Sequence, residues 1–327
     1  MSEQAPQTVG TMTEREILAR IFAVLDGSSV AIVGPGDDAA VLAVPGERLV
    51  VTTDTLVHGP DFRLAWSSGF DLGYKAAAVN LADVAAMGAR PTALFVALMM
   101  PDATSIELVE DLGRGLRAAC DELAPGCAVE GGDLTVSDTL AVAITAVGVL
   151  EGRTAVTRSG ARPGDVVAVA GTLGGAARGL ALLFDRFRDT AGTPVPVQLD
   201  ALTPAELADL SAQLRPAPPI ALGPVAAQAG ATAMMDVSDG LLLDATRMAD
   251  ASEVTLDLDP IDDPLALRGG EDHALLVTFP SGAPLPNGFR VAGRVLARGT
   301  DAVTVGGAPV SGRGGWDPYQ DWDAHRG

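Results

Sequence analysis

A chain of 327 residues, 48% of them hydrophobic, is long enough to bury two packed domains. Its 42 Asp plus Glu against 22 Lys plus Arg leave a formal net charge of -20, which repels nucleic acid and anionic membrane surfaces and excludes both as expected partners. Only two cysteines, no run of the roughly 18 apolar residues that a spanning helix needs, and no basic or apolar leader at the start together point to the cytoplasm.

Thr13 and Glu16 stand in capping-box spacing ahead of an apolar run and predict a helix from about Thr13 to Leu25. Two strands are expected next, VLAV at 41–44 and LVVTTDTLV at 49–57, with Pro45 and Gly46 as the turn between them and Asp54 toward a strand end. Asp71 to Gly88 reads as an alanine-rich helix stopped by Pro91, TALFVALMM as a buried strand, Ser105 to Leu123 as a helix, and LAVAITAVGVL as a strand. The turn-rich segment EGRTAVTRSGARPGD then marks the domain boundary, giving an N-terminal domain of 1–152 and a C-terminal domain of 153–327. Beyond it come VVAVAGTLGG as a strand running into a glycine turn and helix, a Pro-rich connection, a helix starting near Ser238, and further strands such as ALLVTF. The pattern is an α/β chain, α+β within each half, with no short-period repeat.

Acidic residues recur in small clusters beside apolar sequence: GPGDDAAV (Asp37, Asp38), VTTDTL (Asp54), NLADVAAMGA (Asp83), EGGDLT (Asp133) and MDVSDG (Asp236, Asp239). An Asp abutting a buried strand needs a partner, and the chain contains a single lysine, Lys75. Divalent cations fill that role, and oxygen ligands without His or Cys clusters favour Mg²⁺, which typically takes one or two carboxylates plus substrate phosphates. Each Asp taken alone is more often a helix cap or turn former; it is the five clusters together that point to metal. Ser238 and Asp239 precede GLLLDATRMA, where a helix N-terminus offers free N–H groups for phosphate, although Ser238 also fits a plain N-cap. Gly131 and Gly132, and Gly34 and Gly36, would let the backbone approach a ligand closely. Arg158 in the linker has the fork geometry for nucleotide phosphates and is equally at home as a solvated loop residue.

A P-loop is impossible, because Lys75 lies in GYKAAAVN; it is expected on its helix to pair with Asp83 or Asp71. Cys120 and Cys127 form no CxxC pair and His58, His273 and His325 are scattered, so no covalent mechanism is indicated.

GPGDDAAVL, TTDTLVHGPDF, YKAAAVNLADVAAMGARP, GGDLT, TRSGARPGD, DVSDGLLLD, GGEDHALL and GGWDPY, in this order over nearly the whole chain, resemble the thiamine-monophosphate kinase family. Its superfamily also contains aminoimidazole-ribotide synthetase, selenophosphate synthetase and a hydrogenase-maturation factor. The resemblance implies an N-terminal ATP- and metal-binding domain whose sheet joins a second subunit's in a barrel-like homodimer core, a C-terminal α/β domain over the site, and Mg²⁺-dependent transfer from ATP to thiamine monophosphate. It implies metal ligands at Asp38, Thr52, Thr53, Asp54, Asp83, Asp133, Asp236 and Asp239, nucleotide contacts at Gly132, Asp133, Arg158 and Ser238, and substrate contacts at Asp61, Glu271 and Trp316. The chain departs from the family pattern at Asp61, where the family often has His, and at His273, where many relatives have Tyr. Trp316 suits stacking on a thiamine ring, or tacking the C-terminal tail to the body. Two rivals stand beside this reading. A sister enzyme activating an amide or selenide is disfavoured by the absence of Cys from the first 119 residues, and an idle nucleotide-binding scaffold by the retention of every motif carboxylate.

Overall fold

The computed structural model of the chain describes residues 48–312 and 314–316, together with residues 8, 12, 14–25 and 27. Asp37, Asp38, Gly34, Gly36 and the expected strand at 41–44 lie outside the described residues, as do Thr13 and the aromatic motif beyond Trp316.

The first half runs α1 (Glu14–Leu25), β1 (Leu49–Val57), α2 (Gly69–Ala86), β2 (Arg90–Met100), α3 (Ile106–Leu123), β3 (Ala128–Val136) and β4 (Ala141–Val149). Its sheet has the order β1-β4-β2-β3, antiparallel except for the β2–β3 pair. Alternation decides its faces. Val142, Ile144 and Ala146 of β4 point inward and are buried with α2 and α3 in one core, whereas Leu49 and Val51 of β1 lie on the opposite face, 49% and 59% exposed. Ser68 caps α2 by accepting from the Asp71 N–H, and Asp71 accepts from the Ser68 N–H in return, so the helix starts two residues earlier than expected. Pro91 lies inside β2, at a register irregularity against β4 where the missing ladder donor is tolerated. Among the described residues the sheet is open, with β1 and β3 as its edges and no closed barrel.

The second half runs β5 (Val166–Ala170), α4 (Gly175–Arg186), α5 (Pro204–Leu214), α6 (Leu222–Gln228), β6 (Ala233–Val237), α7 (Leu241–Ser252), β7 (Val254–Leu258), α8 (Pro264–Arg268), β8 (Ala274–Phe279), β9 (Phe289–Ala297), β10 (Val303–Val305) and β11 (Ala308–Pro309). The strands form a seven-stranded mixed sheet, β11-β10-β7-β9-β5-β8-β6. Met248, Leu241 and Ala245 of α7 pack in one of its cores, and Ala226 of α6 joins Met234 and Phe279 in another. A smaller cluster stitches the halves: Trp66 from the first packs with Leu183, Phe187 and Leu210 of the second, and its indole N–H donates to the Phe187 carbonyl at 3.0 Å. Two main-chain bonds reinforce the join, Val156 N–H to Met87 O (3.1 Å) and Met234 N–H to Thr157 O (2.9 Å). Among the described residues no helix is long and apolar enough to cross a membrane.

Candidate active site

Two strands and a helix bring carboxylates from both halves to one place. In β1, Asp54 pairs with Ile144 and Thr52 with Ala146, so both side chains point to the α2 side of the sheet. There the Asp54 N–H donates to Asn80 Oδ1 at 3.0 Å and Thr52 Oγ1 donates to Asp83 Oδ2 at 2.9 Å. Asn80 and Asp83 are three residues apart on α2 and therefore share a face. From the second half, β6 delivers Asp236 and the turn after it Asp239. Burial pushes the Asp83 carboxyl up to about 7, and the negative charges of Asp236 and Asp54 add to the effect. Burial also raises Asp54; His273 opposes the rise while Asp236 and Asp239 reinforce it. Four carboxylates thus repel one another across the join of the halves. That donor set suits a hard divalent cation, although among the described residues no three His, Cys, Asp or Glu side chains close around a single point.

The buried His273 holds this cluster from one side, its Nδ1 3.0 Å from Asp236 Oδ2. Burial alone would lower its pKa; the Asp236 hydrogen bond and charge more than reverse that, and the net shift is upward. Among the described residues its Nε2 is buried with no hydrogen-bond partner.

The turn at Ser238 differs from its expected form. The helix α7 begins at Leu241 with Gly240 as N-cap, so Ser238 is not the cap. The N–H groups of Asp239 and Gly240 donate to Asp244 Oδ2 at 3.0 and 3.1 Å, so these two donors are already satisfied by the helix's own first turn. Burial, followed by the charge of Asp236, pushes Asp244 up to about 7, and Arg247 bridges Asp244 (2.7 Å) and Asp239 (2.5 Å).

Beside the carboxylates a cavity of about 590 Å³ lies between the halves, and its walls include Asp61, Ser238, Glu271 and Trp316. Asp61 is fixed at the end of β1 by accepting from the Val57 N–H at 2.7 Å. Glu271 has a left-handed backbone, φ 72°, imposed because its N–H donates to the Ser238 carbonyl at 2.7 Å and because Gly270 lies so close to the same carbonyl that a Cβ there would stand 2.2 Å from it. Asp272 turns the other way and caps α4, accepting from the Gly174 and Ala176 N–H groups at 2.6 and 3.0 Å. Trp316 is anchored by its N–H to the Asp239 carbonyl at 3.0 Å. Aromatic faces line the far wall, where the Arg63 guanidinium sits 4.9 Å from the Trp66 ring and 4.8 Å from the Phe184 ring.

Other expected ligands stand apart. Thr53 and Asp133 alternate to the opposite face of the first sheet from Asp54, and Asp133 is three strands away, roughly 14 Å. Gly132 sits in β3, where a Cβ would stand 1.9 Å from the Val96 carbonyl; the neighbouring strand accounts for that glycine. Arg158 is exposed on the linker, with its carbonyl accepting from Ser252 Oγ. Lys75 pairs with neither Asp83 nor Asp71. Its ammonium meets Glu271 across the cavity, while Asp71 is taken by the α2 cap and by Arg215. Eight helical residues carry Asp83 about 12 Å along the axis from Lys75, beyond the reach of a pair. Sequence reasoning passed over Asn80, Asp244 and Arg247, for which the i, i+3 spacing of Asp244 and Arg247 was the available signal.

Residues 36–150 match the family profile described as AIR synthase related protein, N-terminal domain, and residues 162–285 match AIR synthase related protein, C-terminal domain. The chain is 38% identical to thiamine-monophosphate kinase of Mycobacterium tuberculosis (strain H37Rv), covering 97% of this chain and 94% of that one. It is 40% identical to the Corynebacterium glutamicum thiamine-monophosphate kinase, covering 95% of each. Among solved structures, thiamine-monophosphate kinase from Stenotrophomonas maltophilia K279a superposes with a TM-score of 0.75 at 36% identity, over 91% of this chain and 98% of that one. The structure of AaThiL complexed with AMPPCP and TMP superposes with a TM-score of 0.72 at 30% identity, over 96% of this chain and 99% of that one.

Proposed function

The chain belongs to the thiamine-monophosphate kinase family, among the AIR synthase related proteins, and from that premise we infer that it transfers the γ-phosphoryl group of ATP to thiamine monophosphate, giving ADP and thiamine diphosphate. The observation that carries the reading beyond the family is the cavity: Asp61, Glu271 and Trp316, scattered over the sequence, line one space beside the carboxylate cluster. Its aromatic walls and acidic groups suit a flat cationic ring.

The acceptor is a phosphate monoester with a second pKa near 6, already ionised at neutral pH, which removes the need for a strong general base. The difficulty is electrostatic, since two phosphate-bearing molecules must meet inside a protein of charge -20. We propose that Thr52, Asp54, Asp83, Asp236 and Asp239 hold Mg²⁺, with Asp38 as a further ligand by family pattern. The bound ions would neutralise phosphate oxygens and align an in-line displacement. The protein's own part is to position: Asp61, Glu271 and Trp316 hold the thiamine end, Ser238 stands at the cavity wall toward the nucleotide, and His273 and Asn80 fix the Asp236 side chain and the Asp54 backbone.

Gly132, Asp133 and Arg158 are proposed nucleotide contacts, with Thr53 and Asp133 as metal ligands, on the strength of the family pattern. Thr53 and Asp133 lie on the face of the first sheet that no described helix covers, so any ligand of theirs must approach from that side. Exposed Leu49 and Val51 on that face support a homodimer in which a second copy packs sheet to sheet into a barrel-like core. Domains of 1–152 and 153–327 and a cytoplasmic location complete the proposal.

The test is ADP release by the purified protein with ATP and Mg²⁺, with thiamine monophosphate, thiamine or no acceptor, while thiamine diphosphate is followed by chromatography. Thiamine diphosphate formed from the monophosphate alone supports the reading; ADP release independent of it overturns it.

A further inference from the structure

The chain uses arginine for every strongly basic side chain except one, and that single lysine is buried in the wall of the cavity. Burying an ammonium is expensive without a partner. Lys75 has two. Its Nζ is ion-paired with Glu271, and the Gln213 amide, oriented so that its nitrogen donates to the Ala176 carbonyl at 3.0 Å, presents its oxygen to Nζ at 3.2 Å. Burial would raise the Glu271 carboxyl, but the charge of Lys75 overrules it and holds the group below the ordinary range.

The other cations of this wall are otherwise engaged. Arg63 is stacked on Trp66 and Phe184, and Arg268 donates to the Ser311 carbonyl at 3.0 Å. Lys75 differs because its ionic partner, Glu271, is itself a group that a cationic ligand would claim. A compact ammonium with three donors is also the side chain that can exchange one anionic partner for another without the fixed planar geometry of a guanidinium.

Resting on the function proposed above, we infer that Lys75 determines specificity for the phosphorylated acceptor: when thiamine monophosphate enters, Glu271 turns to its cationic ring and the released Lys75 ammonium takes its phosphate. The substrate carries a positive ring and a negative phosphate, and the Lys75–Glu271 pair offers the complementary charges. Free thiamine supplies only half of the exchange, claiming Glu271 and leaving Lys75 a buried cation without its counter-charge.

Calorimetric titration of the full-length protein, with Mg²⁺ and a non-hydrolysable ATP analogue present, tests this on thiamine monophosphate and on thiamine. Lys75→Met should weaken monophosphate binding about tenfold or more, the worth of a charge-assisted hydrogen bond, and leave thiamine equal or tighter. Glu271→Gln should weaken both. Equal losses of the two ligands in Lys75→Met, no loss of either, or a loss confined to the ATP analogue would overturn the inference. If the single variant fails to fold, Lys75→Met with Glu271→Gln removes both buried charges, and a retained preference for the monophosphate in that variant overturns it as well. Wild-type protein that makes no thiamine diphosphate overturns the proposed function and this inference with it. Wild-type turnover alongside an unchanged preference in Lys75→Met overturns this inference alone.

Discussion

Asp83→Asn should make the protein more stable without added metal while abolishing the turnover that we propose to depend on Mg²⁺. The folded carboxyl has its pKa raised from 3.8 to about 7 by burial and by Asp236 and Asp54. The native state therefore holds this proton more tightly than the unfolded chain, and stability falls as pH rises from about 4 to about 7 and stays low above that window. A shift of about three units corresponds to some 4 kcal/mol at neutral pH, and allowing for partial solvent screening roughly 2–4 kcal/mol is available. Asn keeps an oxygen to accept from Thr52 Oγ1 and carries no charge. For a chain of 327 residues the gain corresponds to a rise in Tm of about 3–6 °C. The assay is thermal unfolding of chelator-treated wild type and variant near pH 5 and near pH 8, each repeated with Mg²⁺. The expected pattern is a variant that melts higher near pH 8, a difference that shrinks near pH 5, and a cation-induced stabilisation largely confined to the wild type. A variant no more stable than wild type near pH 8 without metal would refute the electrostatic account of the cluster.

Asp54→Asn and Asp239→Asn should each eliminate turnover, measured as thiamine diphosphate formation, with circular dichroism unchanged; normal activity in both would remove the metal assignment. Gly270→Ala drives a methyl group to within 2.2 Å of the Ser238 carbonyl, a clash that only a backbone shift relieves and that prises Glu271 from the cavity wall, so monophosphate affinity by calorimetry and Tm by thermal unfolding should both fall. Trp66→Ala removes a buried indole and its bond to the Phe187 carbonyl, and should cost about 3–5 kcal/mol in denaturant unfolding, with the loss centred on α4 and α5 by hydrogen exchange.

Much of the architecture was legible because it is written in local chemistry. The alternation in β1 and β4, the capping-box spacing in the sequence ahead of α1 and the alanine-rich α2 name their own elements, and the recurrence of Asp beside apolar sequence picked out Asp54, Asp83, Asp236 and Asp239. Failures came where long-range partners decide the outcome. The paired glycines of GGDLT give it no strand pattern of its own, yet it pairs with β2 as part of β3, with a register irregularity between the Leu94 and Phe95 pairings. Period-2 alternation separates Thr52 from Thr53, but which of the two faces the cluster depends on where α2 lies. Lys75 looks like a helix-surface cation in its own segment; only the approach of the GGEDH loop, nearly two hundred residues later, turns it into a cavity group. The family pattern supplied Asp61, Glu271 and Trp316, which neither periodicity nor composition would have joined.

Every proposed function of this protein is shared between the halves, so the join itself governs activity. β1 and α2 contribute Asp54, Asp83 and Lys75, while β6, the turn after it and the GGEDH loop contribute Asp236, Asp239 and Glu271. Four carboxylates facing one another push the halves apart, and burial of Trp66, the two main-chain bonds of the linker and the seam of α6 against α2 must hold them together. In that seam a Cβ at Gly223 would stand 2.1 Å from the Ala85 carbonyl, so α6 packs against the α2 backbone itself two residues from Asp83. An enlarged residue at 223 would displace β6, and with it Asp236 and Asp239, from Asp54 and Asp83 without touching any of them. Divalent cations held among these carboxylates, as proposed above, would act on the same join in the opposite sense, offsetting the mutual repulsion of Asp54, Asp83, Asp236 and Asp239 and drawing the halves together.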